Sequence, residues 1–393
     1  MKHLALLLTA GLAGCATVRS GPAPDVTFHA GDADHARDAR AAGLPAEYAR
    51  LGLRPNEIQP WEDGLRTDPA VGSYEWWYFD GHLDDQSKLV IVFYTKNLAS
   101  PSDPLTPAVS FSLDRPDGTK ITKEVQLTPA QFSAAKSGCD VHIGPNRFSG
   151  DLHHYAIHVE IGDIKADVRL DAEVPPWRPG TGYMYFGDKD EKYFAWLPSV
   201  PQGRIDASIS IGGKTEQHGG SGYHDHNWGN ISILEIINHW YWARAQVKDF
   251  TVVASFITAE KAYGGESIPI FMLARNGQII ADDSRKVSFE ARDVAFEPVT
   301  GKPVANTVVY RYDAGDQHYV VTFRRKRDLV LHRMVDDLTG FRRFAAGLIG
   351  FDGAYLRFTG DVQIERLENG KVVESLNDQA LWELMYLGKY RGP

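Results

Sequence analysis

The chain is predicted to be all-β, and three observations carry that reading. Short segments of alternating apolar and polar residues recur between Gly-, Asn- and Asp-rich turns, aromatic blocks sit inside the extended segments, and helical periodicity is scarce. Alternation is clear at residues 108–113, 155–161, 166–170 and 205–211, and it resumes at 268–274, 307–312, 318–323 and 355–366. Such even spacing belongs to an antiparallel barrel or sandwich. Glycine and acidic residues around 80–86 predict a hairpin between the segment at 74–83 and the apolar run at 89–94. Only residues 46–53, 129–136 and 340–348 offer short helical patches.

The 393 residues allow two or three domains, and 43% hydrophobic content supplies sizeable cores. A net charge of −9 disfavours a nucleic-acid partner. The basic run Arg324-Arg325-Lys326-Arg327 reads as a solvated strand end. No phosphate loop, nucleotide fingerprint, serine nucleophile elbow or zincin helix occurs, so no cofactor is expected.

At the amino terminus, Lys2 and His3 precede an apolar run at 4–8, and Leu12-Ala13-Gly14-Cys15 reads as a bacterial lipobox ending a signal peptide over residues 1–15. The run is too short to span a bilayer. Lipidation of Cys15 followed by Ala16 predicts an outer-membrane lipoprotein facing the periplasm. Residues 16–68, with Gly21-Pro22-Ala23-Pro24, read as a tether and extended segment. Barrels are expected over 69–238 and 239–393. Cys139 is left without an intramolecular partner and reads as a buried thiol, and the loop from Pro175 to Gly182 reads as a rigid lid at a barrel mouth.

Chemistry is densest in Gly222-Tyr223-His224-Asp225-His226-Asn227-Trp228-Gly229. In extended backbone His224, His226 and Trp228 share one face, and Tyr223, Asp225 and Asn227 share the other. Four readings stay open. The two imidazoles could bind a metal, although His218, Glu235 and His239 supply no third ligand at a diagnostic spacing, so no metal is expected. Asp225 could hold or relay a proton. The histidines and Asn227 could anchor a ligand, or the segment could be a hydrogen-bonded polar corner. A second block, Tyr74-Glu75-Trp76-Trp77-Tyr78-Phe79-Asp80-Gly81, carries aromatics on both faces, which predicts a strand buried on both sides. In a third, Trp240, Trp242 and Arg244 share a face suited to cation-π stacking or an anionic head group.

These blocks, with Ala195-Trp196-Leu197-Pro198-Ser199-Val200-Pro201-Gln202-Gly203-Arg204 and the closing Trp382-Glu383-Leu384-Met385-Tyr386-Leu387-Gly388, resemble the AttH-like and carotenoid 1,2-hydratase (hydroxyneurosporene synthase) family from about residue 70 onward. The resemblance implies two lipocalin-like antiparallel β-barrels packed through an interface, an architecture shared with fungal Diels-Alderases. It implies a cavity for apolar or amphiphilic molecules and, in the hydratases, cofactor-free addition of water to an isoprenoid double bond. It also implies an ABC-type exporter permease as partner in the AttH-like branch. In the hydratases an acid with a nearby tyrosine is expected on the strand after the Trp-x-Trp segment. Residues 250–258 offer neither, so Asp225 or Glu75 would have to serve.

The sequence therefore predicts a lipoprotein binding a lipid or isoprenoid molecule near the barrel junction. Its expected contacts are Trp76, Trp77, Tyr78, Tyr223, Asn227, Trp228, Trp240, Trp242 and Arg244. The alternative is a cofactor-independent hydratase with Asp225 as acid, Glu75 as a further candidate, and His224 or His226 positioning water.

Overall fold

The structure, a computed structural model, describes residues 19–32, 38–337 and 351–390. Cys15 with its lipobox and the helical patch at 340–348 lie outside the described residues.

Two antiparallel sheets take up every strand of the described chain. The first is ordered Lys120–Gln126, Ala108–Asp114, Lys88–Tyr94, Tyr74–Leu83, Lys214–Gly229, Lys192–Ile211, Ile164–Ala172, His154–Ile161, Asn146–Gly150, Cys139–Ile143 and Phe132–Ala134. In the second, Val287–Phe296, Pro303–Ala314, Gln317–Arg333, Ala354–Glu368, Lys371–Tyr386, Ile237–Val247, Phe250–Ala259, Ser267–Arg275 and Gln278–Ala281 follow one another. Each sheet curls around its own apolar core, and the fold is the pair of lipocalin-like barrels that the sequence predicts.

Strand alternation explains where the cores lie. Trp77, Phe79, Leu89, Ile91 and Phe93 point into the first barrel, while Phe256, Tyr310, Phe323, Trp382 and Leu384 fill the second. The intervening residues face outward and meet between the barrels, where Trp196, Tyr223, Ile233, Val253 and Ile257 form a third cluster with Trp76, Tyr78, Trp240 and Trp242 packed against it. A strand with aromatics on both faces is thus buried on both, one face per core.

Gly81 and Gly222 stand opposite each other in the ladder. A Cβ on Gly222 would lie 2.5 Å from Ile205 Cγ2, and one on Gly81 would lie 2.8 Å from Ile205 Cδ1. The glycines let Ile205 and Phe79 settle onto the backbone just before the polar stretch begins.

Much of the segment expected as a tether is docked. Gly21–Pro22 and Val26–Phe28 add to Val287–Phe296 of the second barrel, and Ala39–Ala41 adds to Tyr183–Phe186 of the first. Phe28 meets Phe256 edge-on at 5.5 Å, so apolar burial outweighs the entropy of a free linker here. The patch at 46–53 forms the helix Pro45–Leu51, begun by proline at its first turn and ended by Gly52 in the left-handed region. The patch at 129–136 yields only the 3-10 turn Pro129–Gln131, because Phe132–Ala134 pairs instead with Cys139–Ile143. The proline-rich loop is held rather than free. Trp177 Nε1 donates to Asp282 Oδ2 at 3.3 Å in the second barrel, and buried Arg178 pairs with Glu62 at 3.1 Å.

Candidate active site between the two barrels

A cavity of about 370 Å³ lies between the outward faces of the two sheets. Trp76, Tyr78, Phe194 and Trp196 of the first barrel and Trp240, Trp242, Ile257 and Met385 of the second give it an aromatic and aliphatic wall. Trp76 stacks on Phe194 at 5.7 Å, and Tyr223 meets Trp242 edge-on at 5.4 Å, so the wall is continuous across the junction.

Asp225 reaches this cavity from Lys214–Gly229. Its Oδ2 accepts from Tyr223 Oη and Trp196 Nε1, each at 2.8 Å, and its Oδ1 accepts from Asn227 Nδ2 at 2.6 Å. Burial disfavours the anion more than these donors favour it, and the carboxyl is pushed up to about 6.

A second carboxyl group faces the same space from the other barrel. Glu383 lies opposite Trp242 in the ladder between Ile237–Val247 and Lys371–Tyr386, and it lines the cavity beside Tyr355 and Arg357. Its Oε2 accepts from Tyr355 Oη at 2.8 Å, and Trp240 Nε1 lies 3.5 Å from Oε1. Burial pushes this carboxyl above its ordinary value, and the Tyr355 hydrogen bond and Arg357 only partly offset the effect. An acid with a tyrosine therefore flanks the Trp-x-Trp strand on the side opposite Phe250–Ala259. The sequence reading missed Glu383, Tyr355 and Arg357. The signal available was alternation, since Trp382, Leu384 and Tyr386 form an apolar face from which Glu383 must point away.

His224 and His226 are not in the cavity. They share a face as the alternation predicts, but that face is the inside of the first barrel, where both are fully buried. His224 Nδ1 donates to the Tyr78 carbonyl at 2.8 Å and its Nε2 stands 3.2 Å from Asp63 Oδ2. His226 Nε2 bonds Glu75 Oε2 at 2.9 Å beneath a stacked Trp77 ring at 4.5 Å. Glu75 in turn accepts from the backbone amide of Arg66 at 3.0 Å, and Tyr155 donates to Asp63. Burial raises the Asp63 carboxyl, but the charges of His224 and His226 and the hydrogen bonds from His224 and Tyr155 hold it below its ordinary range. This is the hydrogen-bonded polar corner among the four readings, and it pins the 3-10 turn Pro60–Asp63 into the barrel. Ligand atoms of Asp63, Cys139 and His224 lie within 4.8 Å of one another, ligand types that sequence spacing did not reveal. The contacts of Asp63 and His224 just described already engage those side chains.

Other expected contacts divide the same way. Trp76, Tyr78, Asn227, Trp240 and Trp242 line the cavity. Trp77 lies in the first barrel core, as its alternation with Trp76 requires. Trp228 packs with Ala42, Tyr183 and Leu197 in a separate cluster, and Tyr223 stands behind Asp225 as its hydrogen-bond donor. Arg244 carries no free charge for a ligand, because Asp80 takes its Nε at 3.2 Å and a second contact through Nη2. Its cation-π partner is Tyr223, at 5.7 Å, rather than an indole.

Two curled sheets enclosing a carboxyl-bearing cavity define a double-barrel protein of the AttH and carotenoid-hydratase type. The chain belongs to the Diels-Alderase-like family, whose model matches residues 70–329. It is 26% identical over 270 residues to hydroxyneurosporene dehydrogenase of Chlorobaculum tepidum, covering 59% of this chain and 70% of that one. It is 24% identical over 349 residues to the quinolone epoxide rearrangement protein penF of Penicillium thymicola, covering 76% of this chain and 93% of that one. The fold is that of an AttH candidate from Nitrosomonas europaea, with a TM-score of 0.56 at 16% identity over 86% of this chain and 99% of that one.

Proposed function

We propose that the protein is a cofactor-independent enzyme that adds water to, or rearranges, an unsaturated apolar molecule held between the barrels. The carrying observation is that two carboxyl groups with raised proton affinity, Asp225 and Glu383, open onto one aromatic cavity from opposite sheets. Relatives named as a hydroxyneurosporene dehydrogenase and a quinolone epoxide rearrangement protein support an enzymatic reading of the site.

The roles follow from the donors around each acid. Glu383 has one close donor, Tyr355, and a raised pKa, which suits a group that rests protonated and gives its proton to an alkene carbon. Trp76, Trp240 and Trp242 line the cavity, and their π electrons would stabilise the carbocation formed there. Asp225 accepts from three fixed donors and suits the base. Water oxygen bonds to the cationic carbon, its proton passes to Asp225, and exchange with solvent restores both acids. The net change is one water added across the double bond.

Incubation with an acyclic carotenoid in ¹⁸O-water tests this by mass spectrometry. One ¹⁸O per product is expected, with loss in Glu383→Gln and Asp225→Asn while binding persists. Tight binding with no turnover of any unsaturated substrate would replace the enzyme by a lipid carrier.

A further inference from the structure

Arg357 stands on Ala354–Glu368, directly opposite Glu383 in the ladder, and lines the cavity. Its guanidinium makes no hydrogen bond or ion pair with any described residue. The neighbouring cation is satisfied, since Arg244 is held by Asp80. Lys88 lies on the same outward face as the cavity-lining Val90 and Val92, and it too has no ion-pair partner among the described residues. Burial, then Arg244 and Arg357, lower the Lys88 ammonium to about 8, and the same causes together with Lys88 hold His82 far below its ordinary value. Glu383 makes no hydrogen bond or ion pair with the adjacent Arg357, its Oε2 being taken by Tyr355 Oη at 2.8 Å. Burial opposes the Arg357 charge, and Tyr355, Tyr78, Glu383 and Asp80 favour it, but Asp80 is bonded to Arg244. One end of an otherwise apolar cavity thus presents a guanidinium with no hydrogen-bonded partner among the described residues. Guanidinium donors facing a largely apolar cavity gain charge-assisted hydrogen bonds when a ligand oxyanion enters.

We propose that the molecule bound between the barrels is an apolar chain ending in an oxyanion of the carboxylate or enolate class, and that Arg357 grips that oxyanion. The guanidinium offers a planar fork that matches two oxygens, a geometry an ester or hydrocarbon cannot use. The proposal rests on the reading of the cavity as the substrate site and narrows the substrates it admits. In a conjugated acid the grip would also place the double bond beside Glu383.

Retinoic acid and methyl retinoate, matched isoprenoids differing in that charge, test it by quenching of tryptophan fluorescence in the full-length protein. The acid is expected to bind about tenfold or more tightly than the ester. Arg357→Gln should bring the two affinities together, and Arg357→Lys should keep part of the preference, which separates charge from folding. Equal affinity of both ligands for the wild type would overturn the oxyanion while leaving the cavity as the binding site. Failure of both to bind would sink the cavity reading with it.

Discussion

Tyr355 and Glu383 share a 2.8 Å hydrogen bond at the cavity wall, one residue from each of two adjacent strands of the second barrel. That bond fixes Oε2, while Oε1 lies 3.5 Å from Trp240 Nε1. Tyr355→Phe should therefore lower turnover by roughly tenfold to a hundredfold through misplacement of the acid, with ligand affinity little changed. Parallel titration and rate measurements check it, and a loss confined to affinity would show that Tyr355 contacts the ligand instead.

Asp225 makes a prediction about pH. Its carboxyl is raised to about 6 from 3.8, so the folded protein holds a proton that the unfolded chain releases earlier. That contribution is complete below pH 3.8 and is lost as pH rises through about 6. Relative to Asp225→Asn, wild-type stability should fall by on the order of 2 to 3 kcal/mol between pH 4 and pH 7. Denaturant midpoints for the two proteins across that interval measure the difference, and parallel curves would mean that Asp225 is ionised throughout.

The corner around Asp63 should matter for folding rather than chemistry. Removing its carboxylate leaves His224 Nε2 and Tyr155 Oη without their partner inside a closed core and takes the nearby negative charge from His226. Asp63→Ala should destabilise by about 3 to 5 kcal/mol. Urea unfolding provides the number, and a cost below roughly 1 kcal/mol would show that the corner relaxes or hydrates.

Trp242 and Trp228 should respond oppositely to ligand titration. Trp242 lines the cavity, so Trp242→Ala should weaken an isoprenoid by roughly 1.5 to 3 kcal/mol. Trp228 packs in a different cluster, and Trp228→Ala should leave that affinity near wild type. A stronger effect at Trp228 would move the binding site.

Membrane attachment is a further proposal, motivated by Leu12-Ala13-Gly14-Cys15. Cys15→Ala should abolish acyl labelling and release the protein from membranes. With Gly21–Pro22 paired to the second barrel, the chain from Cys15 to Gly21 spans at most about 20 Å, so the barrels would ride close to the bilayer. A wild-type protein recovered wholly in the soluble fraction of a host with an outer membrane would refute the anchor.

Local pattern made the strands and their faces readable. The separation of Asp225 and Asn227 from His224 and His226, and of Trp76 and Tyr78 from Trp77 and Phe79, follows from the period of two. Alternation does not say which face is the barrel interior, and the face shared by His224 and His226 is the inner one. Glu383 was hidden for another reason. Its partner Tyr355 and its neighbour Arg357 lie on the preceding strand, while Asp225 belongs to the other barrel. Only long-range pairing of Ile237–Val247 with Lys371–Tyr386 brings Glu383 beside Trp242. A docked amino-terminal strand such as Val26–Phe28 leaves little trace either, because three residues carry almost no periodic signal.

The cavity is walled by the outer surfaces of two sheets, each already closed on a core of its own. The side chains that line the cavity are therefore not those that fill either barrel's own core. Evolution can exchange an indole, move an acid to a neighbouring strand or delete a cation here while both barrels persist, so one scaffold can host a succession of unrelated transformations. Directed libraries aimed at the wall positions should accordingly yield an unusually high share of folded proteins with altered substrate range.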